Sequence, residues 1–194
     1  MYPMESLEEA RAIYEETAKS GEFSADALAG KLNRQSDDAS KEVAVHLNKA
    51  AKDMRDALNK YSPTMKKLEG DTAGEAKLDS SSMWIDPEKI ISDDSEDVID
   101  KELAEDIGRH ENEHQKQSTS ADADKIQVKS KTWDEREIRE AAANSVMHST
   151  ERLNTEYKAI CALTMDEKDR DLVRRGEFKE LEKRKNGNQF SNVA

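Results

Sequence analysis

The five residues His110-Glu111-Asn112-Glu113-His114 restrict the fold of this chain more than any other stretch. Two histidines four apart point the same way only on a helix, where side chains at i and i+4 lie one turn apart on one face. Counting back from His114 at helical spacing gives His110, Ile107, Leu103 and Ile99. The histidines therefore continue an apolar stripe, the face that turns inward when a helix packs. Imidazoles brought there lose solvation, which a bound metal ion would replace. Asp106, Arg109, Asn112, Glu113 and Lys116 fall between the stripe positions and read as the solvent face of the same helix. Glu111 lies beside the histidine face, where it would hold and deprotonate a metal-bound water.

Around this helix the composition leaves little material for a large core. Hydrophobic residues make up 35% of the chain and charged residues 38%, against about 45–50% apolar in an ordinary domain. The 194 residues suit one domain, or one domain with a helical appendage. No stretch approaches the ~20 apolar residues of a membrane span. The amphipathic, acidic segment Met1–Ser20 does not read as a signal peptide, so a cytoplasmic location is expected, with specialised export also compatible. A single cysteine, Cys161, excludes an internal disulfide framework.

The net charge of −12 is concentrated. Asp86 to Asp124 holds fourteen Asp/Glu against four Lys/Arg, a net of −10, and contains His110 and His114. Such a field repels nucleic-acid phosphates and attracts cations and basic peptides. The expected partners are accordingly a protein or peptide substrate, basic ones included, with no nucleic acid and no membrane. The sequence does not set the oligomeric state.

The chain reads as mostly α, in an α+β arrangement. Helices are expected to about Ser20, over Ser24–Leu32, and over Asp38–Tyr61, the last on the spacing of Val43, Leu47, Ala50, Met54, Leu58 and Tyr61. Residues 1–62 thus form an N-terminal helical region, a cover or backing for the core. Residues 63–82, with Gly70, Gly74 and a serine run, read as a linker. Residues 83–163 form the candidate core: a brief strand at Met83–Ile85, the motif helix preceded by the acids Asp93–Asp97, and an alternating strand at Lys125–Lys131. A helix opened by the capping spacing Thr132-Trp133-Asp134-Glu135 then runs to Leu163. A C-terminal helix over 164–185, opened at Thr164 and broken near Gly176, leads to a flexible tail at 186–194.

A catalytic zinc needs a third protein ligand and an open position. Glu137 and, one turn later, Glu140 are acids in the helix after His114, and Cys161 is a further thiol. The sequence Glu140-Ala141-Ala142-Ala143-Asn144, following HExxH by a 26-residue step, gives a Glu-x-x-Ala-Asn pattern. Together the two motifs resemble the gluzincin zinc metallopeptidases, with the fit closest to short single-domain minigluzincin-like and phage repressor-type peptidases. The resemblance spans about Met83 to Leu163. It implies a zincin-like fold with a backing helix, a small antiparallel β element, an active-site helix and a following helix carrying the third ligand.

It also implies a zinc endopeptidase in which His110, His114 and Glu140 hold Zn²⁺ and Glu111 is the general base. Asn144 would orient one of the histidines, and His148 would stabilise the oxyanion, with a surface role as its alternative. An exposed strand edge, at Met83–Ile85 or Ile126–Lys129, would bind substrate backbone. The polar residues Gln115-Lys116-Gln117 and the extra acid Glu113 depart from the family pattern. His46 reads as a surface residue, and Trp84 and Trp133 as core anchors. Two alternatives stand beside the peptidase: a non-catalytic helical interaction module with an accidental or vestigial motif, and a structural zinc site closed by Cys161 or His148.

Overall fold

The computed structural model describes residues 4–149 and 163–187. They fall into two compact units, the first comprising residues up to 76 and 82–111, the second 77–81 and 112 onward. Seven α-helices among the described residues, with two small sheets, make the architecture mostly helical α+β. No helix among them is long and apolar enough to cross a membrane.

The first unit opens with α1 (Met4–Lys19), β1 (Phe23–Ser24), α2 (Ala25–Asp37) and α3 (Lys41–Leu58). Ser24 and Ser40 cap α2 and α3, their side chains accepting from the backbone N–H of Ala27 and Val43. Each cap satisfies one of the amide groups a helix start leaves without a partner. Leu28, Leu32, Leu47 and Met54 on the inner faces are fully buried, each contributing about 1.5–3 kcal/mol of transfer free energy. Tyr14 is buried too, and its hydroxyl donates to the Pro87 carbonyl at 2.7 Å. His46, expected at the surface, is 9% exposed on α3.

Residues 63–82, expected as a linker, carry β2 (Thr64–Met65) and β3 (Gly74–Ala76). With β1 and β4 (Met83–Ile85) they form a four-stranded sheet in the order β1-β2-β4-β3. The sheet is mixed: β2 and β4 run parallel, the other neighbours antiparallel. Short polar strands of this kind escape sequence reading because Met65 is their one buried apolar residue, with Pro63 and Leu68 buried nearby. Asp86, 1% exposed, ties the sheet to the following turn by accepting from the N–H groups of Leu68 and Glu88.

The motif helix is α4 (Lys101–Lys116). Its start is set by Asp100, whose carboxylate accepts from the Leu103 N–H at 2.9 Å. The acids Asp93–Asp97 precede it in a loop, where the carbonyls of Asp94 and Asp97 accept from the Arg11 guanidinium. The expected solvent face is only partly one: Asp106 is 3% exposed and Glu113 1%. Each finds an arginine, Arg109 for Asp106 and Arg174 for Glu113. Charge pairing lets α4 be enclosed on more sides than its apolar stripe accounts for.

The second unit contains the hairpin β5 (Lys125–Val128) and β6 (Lys131–Asp134), then α5 (Glu135–Asn144), α6 (Glu167–Arg174) and α7 (Phe178–Gly187). Its core gathers Ile126, Trp133, Ile138, Ala142, Val173, Phe178 and Leu181. Thr132 does not cap a helix, because Lys131–Asp134 pairs with β5. The cap is Asp134, in a reciprocal box with Glu137. The same displacement recurs at α6, capped by Asp166 with Asp169 in place of Thr164.

α5 stops at Asn144, short of Leu163. The Ser145 hydroxyl bonds the Ala142 carbonyl and receives Arg170 from α6, so the last turn closes on side-chain contacts. The rest of the expected helix, with Leu153, Tyr157, Ile160 and Cys161, lies outside the described residues, as do 188–194 of the expected tail. Gly176 separates α6 from α7 at φ 71°, and a Cβ there would collide with the Ser120 carbonyl oxygen.

Candidate metal centre

α4 presents His110 and His114 one turn apart, as their spacing requires. α5 presents Glu140, whose Oε1 lies 3.1 Å from His114 Nε2. The three side chains each offer one ligand atom, all within 4.8 Å of one another. They are mostly enclosed, with side-chain exposures of 14%, 11% and 20% for His110, His114 and Glu140.

Zinc held at 2.0–2.1 Å by tetrahedral donors brings neighbouring ligand atoms to about 3.3 Å. The 3.1 Å approach of His114 and Glu140 has that spacing already. The widest separation, at most 4.8 Å, closes with a side-chain rotation of about 1–2 Å. The donor set of two imidazoles and one carboxylate suits zinc chemically. The residues therefore fit a zinc ion.

Glu111 follows His110, is 6% exposed, and has Oε1 3.9 Å from His110 Nε2. Edge strand β3 packs on this carboxylate. A Cβ built on Gly74 would stand 2.8 Å from Glu111 Cγ and 2.9 Å from Ile107 Cγ2, so only glycine lets the strand approach so closely. β4, expected as an open edge, lies inside the sheet between β2 and β3. β5 is occupied as well: Gln127 N–H donates to Glu182, Asn186 donates to the Gln127 carbonyl, and Lys129 N–H donates to Asn186. The edge next to Glu111 is β3, which sequence reading missed.

Glu137 is committed elsewhere, accepting from the Asp134 N–H at 3.0 Å in the cap of α5. Asn144, one turn past Glu140, is 1% exposed, and its amide has no hydrogen-bond partner among the described residues, so it bonds neither histidine there. Gln117 bonds His114 instead, with Oε1 2.9 Å from Nδ1. The signal was present, since Gln117 follows His114 by three and extends the stripe of Leu103, Ile107, His110 and His114. His148 lies beyond the end of α5 and is exposed. Cys161 lies outside the described residues.

Glu113 is also explained by this unit. Its carboxylate receives Arg174 through Nε at 2.8 Å and Nη2 at 3.0 Å, a bidentate pair. Glu113 and Glu167, both within reach of its guanidinium, hold the pKa of Arg174 above the usual arginine value, so it stays charged at any working pH. No family of known proteins, no curated protein and no solved structure matches this chain.

Proposed function

We propose that the chain is a zinc-dependent endopeptidase of gluzincin type, with Zn²⁺ held by His110, His114 and Glu140. The observation carrying this reading is the approach of three donor atoms within 4.8 Å, from α4 and α5, beside a buried carboxylate on α4. The two motifs stand out by spacing alone, and side chains 26 residues apart in sequence meet in space.

When bound, the metal supplies Lewis-acid polarisation of a carbonyl and a water acidified to a pKa of about 7. Glu111 takes the proton of the attacking water and delivers it to the leaving amine as the C–N bond breaks. Its enclosure by β3 limits the positions its carboxylate can take. β3 offers an extended substrate a backbone edge alongside Glu111, and Glu75 on that strand is exposed. The acid-rich surroundings favour peptides carrying Lys or Arg.

The test couples elemental analysis of the purified chain to digestion of a peptide library, with Glu111→Gln as control. The expected outcome is one zinc per chain in both proteins and cleavage by wild type alone. Zinc-free wild type, or a Glu111→Gln chain that digests at the wild-type rate, would overturn the assignment.

A further inference from the structure

We propose that Gln117 is a positioning residue that fixes the tautomer of His114 and aims its Nε2 lone pair at the metal. This deepens the zinc reading and rests on it. Gln117 is fully buried. Its side-chain Nε2 donates to the Arg139 carbonyl at 3.1 Å, and its Oε1 stands 2.9 Å from His114 Nδ1.

The direction of the amide follows from its surroundings. A backbone carbonyl only accepts, so the NH₂ end of Gln117 must face Arg139 and the oxygen must face the imidazole. That oxygen in turn only accepts, so Nδ1 carries the hydrogen. In the neutral ring the lone pair then sits on Nε2. It points at Glu140 Oε1, 3.1 Å away. Two lone-pair atoms at that separation repel unless a cation or a shared proton stands between them.

The position of Gln117 is itself held. Its backbone N–H donates to the His114 carbonyl at 3.1 Å, and its carbonyl accepts from the Asp79 N–H at 2.9 Å. Arg139 directly precedes Glu140, so one amide ties the end of α4 to the backbone that carries the carboxylate ligand. A buried glutamine that merely filled space would leave its amide without this pairing of acceptor to ring and donor to α5.

The test is long-range ¹H–¹⁵N correlation of the His114 ring in metal-free protein at about pH 8.5, above the ordinary imidazole pKa. It is joined to zinc titration against a competing chelator. Wild type is expected to show a protonated Nδ1 and a bare Nε2. Gln117→Leu should mix the tautomers and lower zinc affinity by about 10–100-fold. Gln117→Glu, which keeps an acceptor on Nδ1, should hold the single tautomer. A wild-type ring protonated at Nε2, or at both nitrogens, overturns the inference, as does a folded Gln117→Leu chain that binds zinc like wild type. Wild type with the expected tautomer but no zinc affinity supports the positioning role and removes the peptidase reading instead. The wild-type tautomer needs no variant, so a Gln117→Leu chain that fails to fold does not blunt the test.

Discussion

Replacing Arg174 by Met should unseat Glu113, the one charged motif residue to which the proposed zinc chemistry gives no role. Glu113 has 2% of its side chain exposed and takes two charge-assisted bonds from Arg174, which is 21% exposed. Removing one partner of a buried ion pair costs about 3–5 kcal/mol. The open side of Arg174 admits some water, which sets the expectation at the lower end, about 3 kcal/mol. Its second partner, Glu167, is 67% exposed and adds at most a few tenths of a kcal/mol, about the worth of a surface pair.

Glu113→Leu alone should cost less, about 1 kcal/mol, because Arg174 keeps Glu167 and solvent. The double variant Glu113→Leu/Arg174→Met replaces a pair by apolar groups and should also lie within about 1 kcal/mol of wild type. The coupling energy is then about 3 kcal/mol. Urea unfolding followed by Trp133 fluorescence in a Trp84→Phe background measures it, because Trp133 sits in the second unit's core. Additive losses, with the double variant about 4 kcal/mol below wild type, would refute the claim that Glu113 is buried because Arg174 neutralises it.

Alkaline stability should depend on Tyr14, whose pKa is raised well above its usual value by burial and then by the charges of Asp86 and Glu88. The unfolded chain loses this proton above about pH 10 while the folded chain keeps it, so stability falls by up to about 1.4 kcal/mol per pH unit from there. Tyr14→Phe should cost about 1–2 kcal/mol at pH 7, by stranding the Pro87 carbonyl, and remove that part of the alkaline slope. Equal slopes in urea unfolding from pH 9 to 11 would contradict this. Gly74→Ala should push Glu111 aside and lower kcat on a cleaved peptide at least about tenfold, with a stability loss of about 1–3 kcal/mol. Wild-type kcat in that variant would mean the strand does not define the position of Glu111.

Much of the helical frame was legible because it is written in periodicity and caps. Val43, Leu47, Ala50, Met54 and Leu58 all turn inward on α3, and Ser24 and Ser40 mark helix starts by a local hydrogen bond. The histidine pair was legible for the same reason. What escaped was set by tertiary partners. Thr132-Trp133-Asp134-Glu135 has capping spacing, yet Lys131–Asp134 pairs with β5 and the cap slides to Asp134. Glu113 looks like a solvent residue in sequence because Arg174, the partner that permits its burial, lies 61 residues away; Gln117 continues the histidine stripe, but its bond to the Arg139 carbonyl spans 22 residues and is set by the fold. Strands β2 and β3 are two and three residues long, too short to show alternation.

Anomalous diffraction at the zinc absorption edge, from crystals of the zinc-loaded chain, tests the central claim most directly. The expected result is one strong peak with His110, His114 and Glu140 each about 2.0–2.2 Å away, the Nε2 atom of His114 facing it, and Glu137 still on the Asp134 N–H. A peak ligated through Glu137 or another set of side chains, or no peak in zinc-loaded crystals, would contradict it.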